Sequence, residues 1–265
     1  MCLLLVAIDV VPDHPLFLLG NRDEFHARPS DTAATWADAL QIVGGRDRIA
    51  GGTWLGIRND GRFASVTNLR NGRAIQAELS RGALVRDWLL GDDGIEVYLD
   101  RVLKQIDRYA PFNLVVGTSS QVGAIDGATA TRRMFESGIH VISNGPRASC
   151  WPKAKRLKHL FRGRLASNPV IDGNVSVDSW LSLLGDMRQP ADTELPDSGI
   201  DLQIERMLAP IFISGNEYGT RASTLVTRRT DGYLSLDERS FGPVGIVFDQ
   251  RRWTSEPESP GWLEV

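Results

Sequence analysis

The sequence predicts an α+β fold in which antiparallel sheets stack face to face and helices cover their outer sides. Three observations carry that expectation. Short segments rich in Val, Ile and Leu recur along the chain and are closed by tight turns such as Asn59-Asp60-Gly61 and Thr230-Asp231-Gly232. Helical segments interrupt them in blocks, so the order is strands, two helices, strands, two or three helices, strands. The strict strand–helix alternation of a parallel sheet is absent. No repeat, low-complexity tract or linker divides the chain, and residues 1–265 read as one domain.

Each element has a local reason. Leu3 to Val11 is an apolar run that reads as a buried strand. Pro12-Asp13-His14-Pro15 reads as a turn, because two prolines fix φ and remove donors. Leu16 to Gly20 returns as the second strand of a hairpin ending at Asn21. Thr53 to Arg58 and Phe63 to Asn68 form another hairpin. Ser80 is placed to N-cap a helix with Leu84, Val85, Trp88 and Leu89 on one face, stopped by Gly91. A second helical stripe runs through Ile95, Tyr98, Leu99, Val102, Leu103, Ile106 and Tyr109. Phe112 to Gly117, Val122 to Ile125 and Ile139 to Ser143 read as strands. Pro152 sits where a first-turn proline belongs, opening a basic helix to about Arg164 whose inner face is Leu157, Leu160 and Phe161. Val177 to Leu184 reads as a short helix and Gln189 to Ser198 as a surface loop. Thr224 to Arg228, Tyr233 to Leu236 and Val244 to Phe248 read as the closing strands.

Composition narrows the class of function. With 30 basic and 33 acidic residues the net charge is −3, which offers no field for nucleic acid or an anionic membrane. The apolar run after Cys2 has no preceding Lys or Arg and is cut by Asp9, so it does not read as a signal peptide. No uncharged apolar run reaches the ~18 residues that a membrane span requires. Two cysteines, Cys2 and Cys150, make no disulfide framework, and a cytoplasmic location is expected. His14, His26, His140 and His159 fit no zinc spacing, so no metal is expected. The glycine pairs Gly44-Gly45 and Gly51-Gly52 lack phosphate-loop spacing. Lys153, Lys155, Arg156, Lys158, Arg162 and Arg164 read as a solvated helix face.

Cys2 is the most informative residue. Met1 is expected to be removed because Cys2 is small, leaving a thiol beside an α-amine able to take its proton. The bland reading is a small residue buried at a strand start. Asn21-Arg22-Asp23-Glu24-Phe25 and Arg28-Pro29 tip the balance, together with Gly51-Gly52-Thr53-Trp54-Leu55-Gly56, Thr67-Asn68, Ser80-Arg81-Gly82, Phe112-Asn113-Leu114, Ser143-Asn144, Trp151 and Tyr218-Gly219-Thr220-Arg221. In order and over nearly the whole chain, these blocks resemble the NRDE family, which includes the transport-and-Golgi-organisation protein 2 homologues. That family resembles the N-terminal-nucleophile cysteine hydrolases that cleave bile-salt amides and penicillin V.

The resemblance implies a four-layer αββα sandwich with a site at Cys2, Arg22, Asp23, Asn68, Asn144 and Arg221. The spacing between Arg22 and Asp23 differs from that of the hydrolases. In the implied roles Arg22 favours the thiolate, Asp23 accepts from the α-ammonium, Asn68 and Asn144 face an oxyanion, and Arg221 adds positive charge or binds a substrate carboxylate. Without Cys2, Arg22-Asp23-Glu24 reads as an ion-pair cluster at a strand end, and the two Asn as turn formers. Cys150 is expected to be buried near Trp151 or inert. The function implied is hydrolysis of a non-peptide amide or acyl (thio)ester without a cofactor. The alternative is a non-catalytic protein that binds or carries haem or an acyl lipid on the same scaffold. Either way the expected partner is a small molecule bearing an amide or acyl group, or haem.

Overall fold

The computed structural model describes residues 2–70, 77–146, 149, 151–167 and 176–265. Met1 and Cys150 lie outside them, and so do the expected removal of the one and the expected inertness of the other.

The chain opens on a long hairpin, β1 (Cys2–Val11) against β2 (His14–Phe25), with Cys2 opposite Arg22. The expected four-residue turn contracts to Pro12-Asp13, where Asp13 takes a φ of 60°. β2 also runs on past Gly20, so Asn21 to Phe25 lie within a strand and not at its end. β3 (Ser30–Trp36) and β4 (Ala39–Asp47) follow, in a stretch whose mixed polarity and glycine pair predicted no strand. The glycine there is a packing requirement, since a Cβ at Gly44 would stand 2.7 Å from the Leu55 carbonyl oxygen.

β5 (Leu55–Arg58) and β6 (Phe63–Asn68) form the expected hairpin around Gly61, whose φ is 89°. α1 (Arg81–Leu90) starts at Ser80, whose side chain accepts from Gly82 N–H, and ends at Gly91. α2 (Ile95–Leu103) stops earlier than its apolar stripe, which continues through a 3₁₀ turn at Ile106–Arg108. β7 (Phe112–Gly117), β8 (Val122–Asp126), β9 (Thr131–Met134) and β10 (Gly138–Ile142) come next. The charged β9 had no apolar pattern to announce it.

α3 (Pro152–Ser167), α4 (Val177–Leu181) and α5 (Leu202–Leu208) precede the closing strands. These are β11 (Tyr218–Arg228), β12 (Leu234–Phe241), β13 (Val247–Ser255) and β14 (Leu263–Glu264). The strand expected from Val244 begins only at Val247, because Pro243–Gly245 forms a 3₁₀ turn with Val244 at a φ of 53°.

The described strands form two seven-stranded sheets, ordered β10-β1-β2-β11-β12-β13-β14 and β3-β4-β5-β6-β7-β8-β9, with every strand pair antiparallel. Alternation along β1 divides its side chains between two cores. Cys2, Leu4 and Val6 face Ile57, Phe63 and Val115 of the second sheet, and Leu236 and Trp253 of their own sheet complete the inner layer. Leu3, Leu5 and Ala7 face Leu157 and Phe161 of α3 and Trp180 of α4. On the far side α1 and α2 bury Leu84, Val85, Trp88 and Leu99 against Leu114 and Val116 of β7. The result is the expected αββα sandwich. Among the described residues no helix is long and apolar enough to cross a membrane.

Candidate active site

At the mouth between the sheets, Cys2 lines a cleft of about 330 Å³. Its direct cross-strand neighbour is Arg22, and such a pair shares one face of the sheet. Arg22 is buried on the cleft wall, with Nη1 3.4 Å from Ser30 Oγ and Nη2 4.0 Å from Asp47 Oδ2. The Cys2 thiol is raised above its ordinary value, chiefly by burial, with Asp23 adding to the rise and Arg22 opposing it. Arg22 therefore acts in the expected direction, but burial outweighs it, and the thiol is not lowered overall. The backbone N–H of Asp23 also donates to the thiol and favours its ionised form.

Asp23 follows Arg22 on the strand, so its carboxylate faces the other way, towards α3. There Thr220 Oγ1 donates to Asp23 Oδ1 at 2.8 Å, and Lys153 Nζ stands 3.9 Å from Oδ2. Burial raises the Asp23 carboxyl, and Lys153 is the largest opposing influence. Tyr218 donates its hydroxyl to the Asp23 carbonyl at 3.0 Å. The adjacent pair thus serves two faces of one strand.

Asn68, the last residue of β6, lines the cleft from the opposite sheet. Asn144 does not reach the cleft wall. It is fully buried behind it, with Nδ2 donating to the Asn68 carbonyl at 3.0 Å and its own carbonyl accepting from Arg70 N–H at 2.7 Å. Its Nδ2 joins the two sheets and in this arrangement holds Asn68, while its Oδ1 is buried with no hydrogen-bond partner among the described residues.

Arg221 occupies a β-bulge, because the β11 register slips between Thr220 and Ala222 where they meet Asp23 and Arg22. Its Nη1 lies 2.9, 3.3 and 3.2 Å from the carbonyls of Phe25, His26 and Arg28, pinning the turn that forms one lip of the cleft.

Three charged residues escaped the sequence reading. Lys153 is 3% exposed, a correction to its place on a solvated helix face. The signal was present, since Lys153 precedes Leu157 by one turn and shares its inner face. Glu238 on β12 lines the cleft while its carboxylate accepts from Ala33 N–H at 2.7 Å and Thr224 Oγ1 at 3.1 Å; burial raises its carboxyl. It continues the inward alternation of Leu234 and Leu236. Arg81, at the first turn of α1, lines the cleft, donates to the Pro111 carbonyl at 3.2 Å, and is lowered by burial.

Paired antiparallel sheets between helix layers recur as a fold among solved structures. All of this chain superposes on 92% of a mutant C2A conjugated bile acid hydrolase from Clostridium perfringens, with a TM-score of 0.52 at 8% identity. At that identity the likeness is one of fold.

By its sequence the chain belongs to the Transport and Golgi organisation 2 family, whose model matches residues 1–243. It is 28% identical over 273 residues to the Transport and Golgi organization 2 homolog of Mus musculus, covering 96% of each chain. The Homo sapiens homolog is 29% identical over 261 residues, covering 91% of this chain and 93% of that one.

Proposed function

We propose that the chain is an N-terminal-cysteine hydrolase acting on a non-peptide amide or an acyl (thio)ester, after removal of Met1. The observation that carries this reading is the pairing of Cys2 with Arg22 on the wall of a cleft that also exposes Asn68. The scaffold shared with a conjugated bile acid hydrolase supports it. The α-amine takes the thiol proton, and Cys2 Sγ bonds to the acyl carbon. The C–N or C–S bond of the substrate breaks, and the departing amine or thiol leaves with that proton. Water then adds to the thioester, the bond to Sγ breaks, the acid departs, and the sulfur recovers a proton.

Arg22 favours the thiolate as attack begins. Asn68 turns its side-chain N–H towards the oxyanion, with Asn144 holding its backbone. Arg221 shapes the lip. A donor at the oxyanion contributes roughly 3–4 kcal/mol to such a step.

The test is hydrolysis of a panel of acyl amides and thioesters by protein whose intact mass shows that Met1 is absent. Turnover that is lost in Cys2→Ala, with an unchanged melting temperature, is the expected result. Retention of Met1, or equal turnover in Cys2→Ala, would remove Cys2 from catalysis and leave the cleft as a carrier site for an acyl group or haem.

A further inference from the structure

Behind the cleft, on the α3 side of β2, lies a group of buried ionisable side chains that the hydrolytic scheme leaves unused. Lys153 belongs to the first turn of α3. Its Nζ has no hydrogen-bond partner among the described residues, and stands 3.9 Å from Asp23 Oδ2. The charged and titratable groups facing it come from every element packed around it: Asp23 on β2, Arg70 after β6, Glu205 on α5 and Cys2 on β1. Arg70 and Glu205 form a buried ion pair with each other. The carboxylate left to face the Lys153 ammonium is that of Asp23.

An ammonium withdrawn from water is retained only where an opposite charge meets it, and the same holds for a carboxylate. Burial presses Lys153 down to about 8 and presses the Asp23 carboxyl up, each opposed by the other. The strand register fixes which neighbour feels this balance. Cys2 pairs with Arg22, so the backbone nitrogen of Cys2 lies between the levels of Arg22 and Asp23 on β2.

We infer that Lys153 is a positioning residue of the Cys2 site: its ammonium keeps Asp23 ionised, and the Asp23 carboxylate anchors the α-ammonium exposed when Met1 is removed. The inference rests on the hydrolase reading. No bond is made or broken at Lys153, whose whole contribution is its charge. The sign of its effect follows. Removing the ammonium lets burial protonate Asp23, which relieves the thiol of one anion but frees the α-ammonium to lose its proton. A positive N-terminus lowers the thiol more than Asp23 raises it, so the thiolate forms at higher pH.

The experiment is the rate of Cys2 alkylation by iodoacetamide as a function of pH, read by peptide mass on protein lacking Met1. Lys153→Met moves the midpoint upward by about one unit, which is roughly tenfold slower labelling below the midpoint. Lys153→Arg keeps the charge and stays near the wild type. Asp23→Asn combined with Lys153→Met has the midpoint of Lys153→Met alone, because that single variant has already neutralised Asp23. The double variant buries no lone charge, so it serves where Lys153→Met does not fold.

A Lys153→Met or double-variant profile that superposes on the wild type overturns the inference. So does a Lys153→Arg profile displaced as far as that of Lys153→Met, which would indicate packing and not charge. Alkylation is read without turnover. An absence of amide or thioester hydrolysis with the shift present counts against the hydrolase reading, and an absence of the shift counts against Lys153.

Discussion

Asp237, on β12, carries a buried carboxylate that no site claims. Its Oδ1 lies 3.5 Å from Arg252 Nε across the strand pair, while its Oδ2 has no hydrogen-bond partner among the described residues. Burial raises the carboxyl from 3.8 to about 6, with Arg252 only partly opposing it. The native state therefore holds this proton more tightly than the unfolded chain does. The stability it contributes is complete below pH 3.8 and is lost as pH rises through about 6. Asp237→Asn, which cannot ionise, is expected to be more stable than the wild type at pH 8 by up to about 3 kcal/mol and indistinguishable from it at pH 3.5. Urea unfolding at the two pH values checks this, and equal stabilities at both would show that Arg252 compensates fully. Cys2 and Asp23 obey the same rule, since for each the cost of burial exceeds what its neighbours return.

Between elements, the segment before β5 closely approaches the start of α1 at the cleft. A Cβ at Gly52 would stand 2.3 Å from the carbonyl carbon of Gly82, and Thr53 N–H donates to the Gly82 carbonyl at 3.3 Å. Two short motifs far apart in sequence, Gly51-Gly52-Thr53-Trp54 and Ser80-Arg81-Gly82, thus meet backbone to backbone and form one wall of the cleft. Backbone cannot yield as a flexible side chain can. Gly52→Ala is expected to cost about 1–3 kcal/mol in thermal or urea unfolding. It is also expected to weaken turnover beyond what the lost stability explains, because Arg81 and Ser80 move with the helix start. A variant as stable and active as the wild type would show that the segment has room to relax.

The whole molecule is held by the layer between its sheets. Phe63 of β6 is fully buried there beside residues of both sheets, including Leu4, Val6 and Leu236. Asn144 to Asn68, Thr67 to Ser143 and Asn113 to Gly145 add hydrogen bonds across the same junction, at 3.0, 2.9 and 3.1 Å. Coupling of this kind leads us to expect the 265 residues to unfold as one unit. Phe63→Ala is expected to destabilise the chain by about 3–5 kcal/mol, with circular dichroism and tryptophan fluorescence following one coincident transition. Two separated transitions would mean that each sheet folds with its own helices.

By itself the sequence determined the elements whose signal is local. Phe63 to Asn68 and Phe112 to Gly117 have the predicted bounds, and the α1 cap at Ser80 and buried face Leu84, Val85, Trp88 and Leu89 follow from spacing and side-chain chemistry alone. The pairing of Cys2 with Arg22 was also within reach, because one hairpin brings them together. Tertiary structure decided the rest. β3 and β4 exist because neighbouring strands accept a polar, glycine-bearing ladder, which no local periodicity reports. Lys153 is buried because Asp23 awaits it on another element, and Asn144 lies behind the cleft because its Nδ2 donates across the sheets to Asn68. Local spacing settles which face of an element a residue occupies. Whether a charge can be buried there depends on the partner that the fold brings to meet it.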